Sequence, residues 1–469
     1  MSLWLPWCTA LCALRPAFSR RQTFLWFLAG VAGLSVRGDN LGITSVVRAL
    51  SLDGRHYHAL LRCCHSRAIK LPLLARLWTR TAVRLFGDRL ERVEGRLVLL
   101  ADGKKIARAG RRMPGVKSLH QQSESNTRPP FIMGHSAQAV SVLARVGRTA
   151  FAVPLAMQIH EGVVFSNADK RTLLDRLLIM IGGLELEERF YLVADSYYAS
   201  GKIIKGLVGE GNHLISRVKS NAVAYHRPVA TPGKRARGRP RVYGEKLRLK
   251  EVFEDARVPV TRMASPVYEE SNVTLRVRSL DLLWGPSGQL ARFVFVEHPT
   301  RGRIMLIGSD VTLAPHEIIR LYGLRFKIEL AFKQAAHVLG SYDYHFWMME
   351  LERTGRGGGN LYLHRADKGF RDEVRRKMHA YHVFLSMGVI AQGLMHYLAA
   401  CHTEAVWRSF GSWLRTVRQG VAPSELVVKM ALRNTLDEFL LADPRAHDLV
   451  KFIVERQRPT TPRSWPLAA

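Results

Sequence analysis

Two short apolar segments each run straight into an aspartate: Leu97-Val98-Leu99-Leu100-Ala101-Asp102 and Phe190-Tyr191-Leu192-Val193-Ala194-Asp195. Far downstream, one segment carries Tyr322, Arg325 and Glu329. A carboxylate at the end of an apolar strand is exposed at a sheet edge instead of being buried unpaired, and three such groups can converge on hard divalent cations. The spacing i, i+3, i+7 sets Tyr322, Arg325 and Glu329 on one face of a helix. There an arginine can hold a phosphate through two parallel hydrogen bonds, the tyrosine hydroxyl another oxygen, and the glutamate a metal. Together these residues outline a phosphoryl-transfer site.

The elements that must position them follow from periodicity. Residues 1 to about 90 read as helices, with basic side chains such as Arg62, Arg76 and Arg84 interleaved among apolar ones. The pattern turns strand-like from Gly95, with further strands expected over Phe131–Leu143, Thr149–Ile159 and Asn212–Val218. Helical spacing marks Ala168–Ile181 and Ser200–Gly209 between them, and a single helix is expected over 315–335, with Pro315 in its first turn. Strand-like runs at Val273–Leu283, Ala291–Val296 and Arg303–Gly308 lie in a basic stretch that also holds Lys234-Arg235-Ala236-Arg237-Gly238-Arg239-Pro240-Arg241. From Phe370 helices dominate again.

Lys and Arg number 70 against 39 Asp and Glu, a formal charge of +31 over 469 residues. Such a field attracts polyanions and points to nucleic acid. The length suggests roughly two to four domains. Five cysteines, Cys8, Cys12, Cys63, Cys64 and Cys401, match no zinc spacing and fit a reduced cytosolic setting. The apolar runs Leu3–Leu14 and Phe24–Val36 fall short of the roughly 20 residues that cross a bilayer and are split by Arg15, Arg20 and Arg21, so no membrane is expected. His135, His160, His379 and His382 are read as structural.

In this order and combination the residues resemble the DDE transposases of bacterial insertion sequences whose third acid lies in a Tyr-x2-Arg-x3-Glu-x6-Lys signature. The resemblance rests on Ala101-Asp102-Gly103, Val193-Ala194-Asp195-Ser196 and Tyr322-Gly323-Leu324-Arg325-Phe326-Lys327-Ile328-Glu329, and covers residues 95 to about 340. One departure stands out: the signature's lysine position is Ala336, with Lys333 nearer. The resemblance implies an α/β fold, an RNase H-like mixed sheet flanked by helices and interrupted by a β-rich insertion. The chain divides into a helical region 1–94, either a small DNA-reading domain or a packing domain with a solvated basic face, core segments 95–220 and 306–350, the basic insertion 221–305 and a helical region 351–469.

The resemblance further implies that Asp102, Asp195 and Glu329 are catalytic and bind two Mg²⁺ ions, with Mn²⁺ as a substitute. Tyr322, Arg325, Lys333, Lys104 and Lys105 would contact DNA, as would Arg237, Arg239 and Arg241, whose Arg-Gly-Arg-Pro run is like an AT-hook suited to narrow A·T minor grooves. Trp284 would either stack on a flipped base, as insertion aromatics of hairpin-forming relatives do, or pack in the core. The implied partners are transposon ends and target DNA, with a homodimer at synapsis in the bacterial cytoplasm, associated with the nucleoid. Two rivals share the site: an RNase H-like nuclease without strand transfer, and a DNA-binding derivative that has lost catalysis.

Overall fold

Leu97–Ala101 and Phe190–Ala194 are unbroken apolar runs, and every one of these residues is buried. Strands covered on both faces belong in the middle of a sheet between helices. The computed structural model describes residues 2–121, 129–228, 241–267, 270, 272–355, 357–411, 421–441 and 447–458.

The core strands are β1 (Arg96–Ala107), β2 (Phe131–Val146), β3 (Thr149–Ile159), β4 (Phe190–Ala194) and β5 (His213–Arg217). They lie in the order β3-β2-β1-β4-β5. β1, β2 and β3 are successively antiparallel, whereas β4 runs parallel to β1 and β5 parallel to β4. This is an RNase H-like mixed sheet. The later strands β6 (Thr274–Trp284), β7 (Gln289–His298) and β8 (Gly302–Gly308) form an antiparallel set, and β8 pairs with β5. The β-rich insertion therefore extends the central sheet, covering an edge of β5 that would otherwise expose unpaired backbone groups.

Helices α1 (Trp4–Cys12), α2 (Arg21–Val36), α3 (Gly42–Ala49), α4 (Tyr57–Cys64) and α5 (Leu71–Phe86) precede the sheet. α2 is buried at every position from Phe24 to Val36, as expected of a helix apolar all round. Between β3 and β5 come α6 (Leu173–Gly182), opened by a Thr172–Asp175 capping box, and α7 (Gly201–Gly209), capped by Ser200. Then follow α8 (Pro315–Leu324), α9 (Phe326–Gln334) and the 34-residue α10 (Lys368–Cys401). α10 is long and apolar enough to cross a membrane, but 83% of its apolar 18-residue window is buried inside the protein, and the helix packs on α2, α5 and β3. The two chain ends share this core: Trp4 stacks on Phe439 at 5.1 Å.

Two expectations need correction. Asp102 does not end its strand, because β1 continues to Ala107 along the antiparallel ladder with β2; only the parallel partner β4 stops beside it. The expected single helix over 315–335 is broken at Arg325, where Arg325 N–H donates to Tyr322 C=O and Ile328 N–H to Arg325 C=O in tightened turns. Beyond α9 a π-turn, Ala335–Leu339, ends at Gly340 with φ +61°, and a Cβ there would collide with the Arg37 guanidinium. Arg37 is fully buried and donates to the carbonyls of Leu339 and Gly42, which ties α9 to the amino-terminal helices.

Candidate active site

Ala101 pairs with Ala194 across the parallel ladder, so Asp102 and Asp195 follow as neighbours where β4 ends. The turn after β4 holds Asp195 closely. Tyr197 N–H donates to its Oδ1 at 3.0 Å, Tyr198 N–H to its carbonyl at 3.1 Å, and Ser216 Oγ to the same carbonyl at 2.7 Å. Asp102 Oδ1 accepts from Gly103 N–H at 2.7 Å.

Alternation along β1 puts Asp102 and Lys104 on one face, and α9 covers that face. Lys104 Nζ stands 5.9 Å from the Phe332 ring. Arg325, at the head of α9, donates from Nη1 to Asp102 Oδ2 at 3.1 Å and from Nη2 to Glu329 Oε1 at 2.6 Å. The Asp102 side chain is 15% exposed and Glu329 54%. Burial pushes the Asp102 carboxyl up to about 6, with Asp195 and Glu329 adding repulsion and Arg325 opposing it. Burial also raises Asp195. Burial works against the Arg325 charge, yet Asp102 and Glu329 hold its pKa above the ordinary value. Asp102 and Glu329 thus share a single guanidinium, while Asp195 acts on Asp102 by direct repulsion.

A family model for the DDE superfamily endonucleases matches residues 13–279, more than half of the chain. The chain belongs to this family. The match includes Asp102 and Asp195 and ends before Tyr322, Arg325 and Glu329. Among solved structures, the chain is similar to the piggyBac transposase of a synaptic complex with hairpin DNA, with TM-score 0.34 and 11% identity over 96% of this chain and 78% of that one. No curated protein matches.

Among the described residues of this DDE superfamily endonuclease, no three His, Cys, Asp or Glu side chains stand at metal-ligating spacing. Arg325 fills the gap between Asp102 and Glu329 as a stand-in cation. The donors are all carboxylate oxygens, which suit Mg²⁺ or Mn²⁺ and not a soft metal. In charge and ligand type the residues fit the ion, once Arg325 yields its place.

The other expected site residues are scattered. Tyr322 is half-buried, its ring 6.0 Å from the Arg325 guanidinium. Lys333 is exposed one turn after Glu329, and exposed Lys105 donates to the His120 carbonyl. Arg241 is exposed in the insertion, whereas Arg237 and Arg239 lie outside the described residues. Trp284 is 5% exposed at the end of β6 and packs in the core, the second of the two placements expected of it. Ala336 packs against the core inside the π-turn. Sequence reasoning missed Gln138 and Tyr198, both buried beside the acids. An isolated amide in the apolar run Ala137–Leu143, and a tyrosine three residues past Asp195, were the available signals.

Proposed function

We propose that this DDE superfamily endonuclease is a DNA transposase that cuts at the 3′ ends of its own element and joins them to target DNA. The observation carrying this reading is the Arg325 guanidinium held between Asp102 and Glu329, beside Asp195 just past the end of the adjacent strand. Asp102, Asp195 and Glu329 would hold two Mg²⁺ ions. Bound there, the metal supplies Lewis acidity that activates water or a 3′-hydroxyl and stabilises the leaving oxygen.

The chain's own part is positioning. Asp102 sits on a central strand and Asp195 in the hydrogen-bonded turn that follows the neighbouring strand, while Glu329 is half-exposed on a helix and free to adjust. Arg325 turns its planar fork from the carboxylates to the phosphate being transferred, with Tyr322 beside it. Lys104, Lys105 and Lys333 neutralise the DNA backbone near the acids, and Arg237, Arg239 and Arg241 grip duplex DNA from the insertion. Holding two ends at once calls for a homodimer.

Asp195→Asn tests the reading on labelled DNA that carries the element's ends. Mg²⁺-dependent cleavage should fall by about 10³-fold or more while DNA binding stays near the parent's. Equal cleavage would remove the site assignment. A second reading, an endonuclease that does not join ends, uses the same acids and fits the family's endonuclease description equally well. Pre-cut ends separate the two: a transposase joins them to target DNA, and a plain nuclease leaves them free.

A further inference from the structure

Tyr198 is 2% exposed, and its hydroxyl accepts a hydrogen bond from Gln138 Nε2 at 2.9 Å. Gln138, also 2% exposed, lies on β2 directly across from Gly103, one position along from the Asp102–Ala139 pair. The fit at this point is close: a Cβ placed on Gly103 would lie 3.7 Å from the Tyr198 hydroxyl. The ring of Tyr198 therefore reaches from the turn that carries Asp195 to the strand segment that carries Asp102.

The far side of the amide is fixed as well. His160 Nδ1 lies 2.6 Å from Gln138 Oε1 and its Nε2 3.2 Å from Gln158 Oε1; both oxygens can only accept, and the shorter contact takes the ring proton. Burial drives His160 down to about 3, so at neutral pH the imidazole is uncharged and this proton is its single donor. His160 is in turn held by Arg176, which donates to its backbone carbonyl at 2.8 Å. The chain His160, Gln138, Tyr198 is thus a buried brace running from the end of β3, through β2, to the Asp195 turn. A polar group buried this deeply is costly unless paired, and the Gln138 amide, paired at both ends, is held in place by that cost.

We propose that Gln138 and Tyr198 are positioning residues that fix the separation of Asp102 and Asp195, and so set how well this acid pair takes a divalent cation. The inference rests on the reading of those two acids as metal-holding groups. Mg²⁺ demands near-ideal octahedral geometry, so it is the ion most penalised when two carboxylates drift apart. Groups that orient metal ligands are typically worth 10- to 100-fold in metal affinity.

The test uses the full chain with Tyr198→Phe, Gln138→Met and the double variant. The readouts are the Mg²⁺ and Mn²⁺ concentrations that half-saturate the metal-induced rise in melting temperature, DNA binding, and Mg²⁺-dependent cleavage. Tyr198→Phe removes one oxygen and keeps the ring packing, so it carries the test even where Gln138→Met folds poorly. The Mg²⁺ midpoint should rise by about 10-fold, Mn²⁺ by less, with DNA binding unchanged. The double variant should be no worse than Gln138→Met alone, because that substitution already breaks the Gln138–Tyr198 link. A folded Tyr198→Phe with the parent's Mg²⁺ midpoint overturns the brace. An Asp195→Asn protein that still responds to metal as the parent does would instead overturn the underlying site reading, and the two failures are told apart by which variant shows them.

Discussion

Arg325 Nη1 donates to Asp102 Oδ2 across 3.1 Å, linking the break between α8 and α9 to a strand 223 positions earlier in the chain. The second arm of the same guanidinium reaches Glu329. An exposed ion pair is worth little, but the Asp102 arm is shielded from solvent and acts through a lower effective dielectric, which strengthens it. A positive charge is therefore already seated among the acids before any substrate arrives.

Removing it should move two properties in opposite directions. Arg325→Ala is expected to lower cleavage by about 10²- to 10³-fold, the usual cost of deleting a charge that stabilises a transition state. Without its competitor, Mg²⁺ should bind the DNA-free protein more tightly, as measured by calorimetry. Weaker metal binding in the same variant would show that Arg325 organises the acids and does not occupy the metal's place.

Lys333 is exposed one turn beyond Glu329. Each lost phosphate contact reduces the slope of log affinity against log salt by about 1. Lys333→Ala should produce this change in a DNA-binding salt titration and weaken binding to all sequences alike. An unchanged slope would place this lysine off the DNA path.

Trp284 offers a discriminating substitution because it packs inside the protein. Trp284→Ala should cost about 3–5 kcal/mol of stability by leaving a cavity. DNA affinity per folded molecule, measured below the melting temperature, should stay at the parent value. A selective loss of cleavage with an unchanged melting temperature would restore the base-stacking role.

Lys429 donates to the Val338 carbonyl in the π-turn behind Glu329, and burial, with Arg37 and Arg433 nearby, lowers its pKa to about 8. An unfolded lysine titrates near 10.4, so between about pH 8 and about pH 10 the unfolded chain binds a proton that the folded one lacks. Stability from this group is therefore gained as pH rises through that window. Thermal melts at about pH 7.5 and about pH 9.5 should show the gain in the parent and its absence in Lys429→Met. Identical pH profiles would assign the effect to other groups.

Much of the fold was legible because strand and helix periods are local properties. The run Thr149–Ile159 is a strand at the expected bounds, and α7 begins one residue inside its expected start, with Ser200 as its cap. The end of β1 was misread for the opposite reason. Gly103, Lys104 and Lys105 look like a loop on composition, yet pairing with Ala137, Gln138 and Ser136 keeps them in the sheet. Nor does local pattern reveal the break at Arg325, since Tyr322 to Glu329 carries neither proline nor any other interruption of helical spacing.

By itself the sequence determined which residue types were available: two aspartates after buried apolar runs, a glutamate four positions after an arginine, and an excess of positive charge over the whole chain. Only the tertiary structure decided who meets whom. The parallel pairing of β1 with β4 makes Asp102 and Asp195 neighbours, and the packing of α9 on β1 brings Arg325 to Asp102. Contacts between residues so far apart in the chain leave no periodic trace, because they depend on the register of strands and the seating of helices rather than on any local repeat.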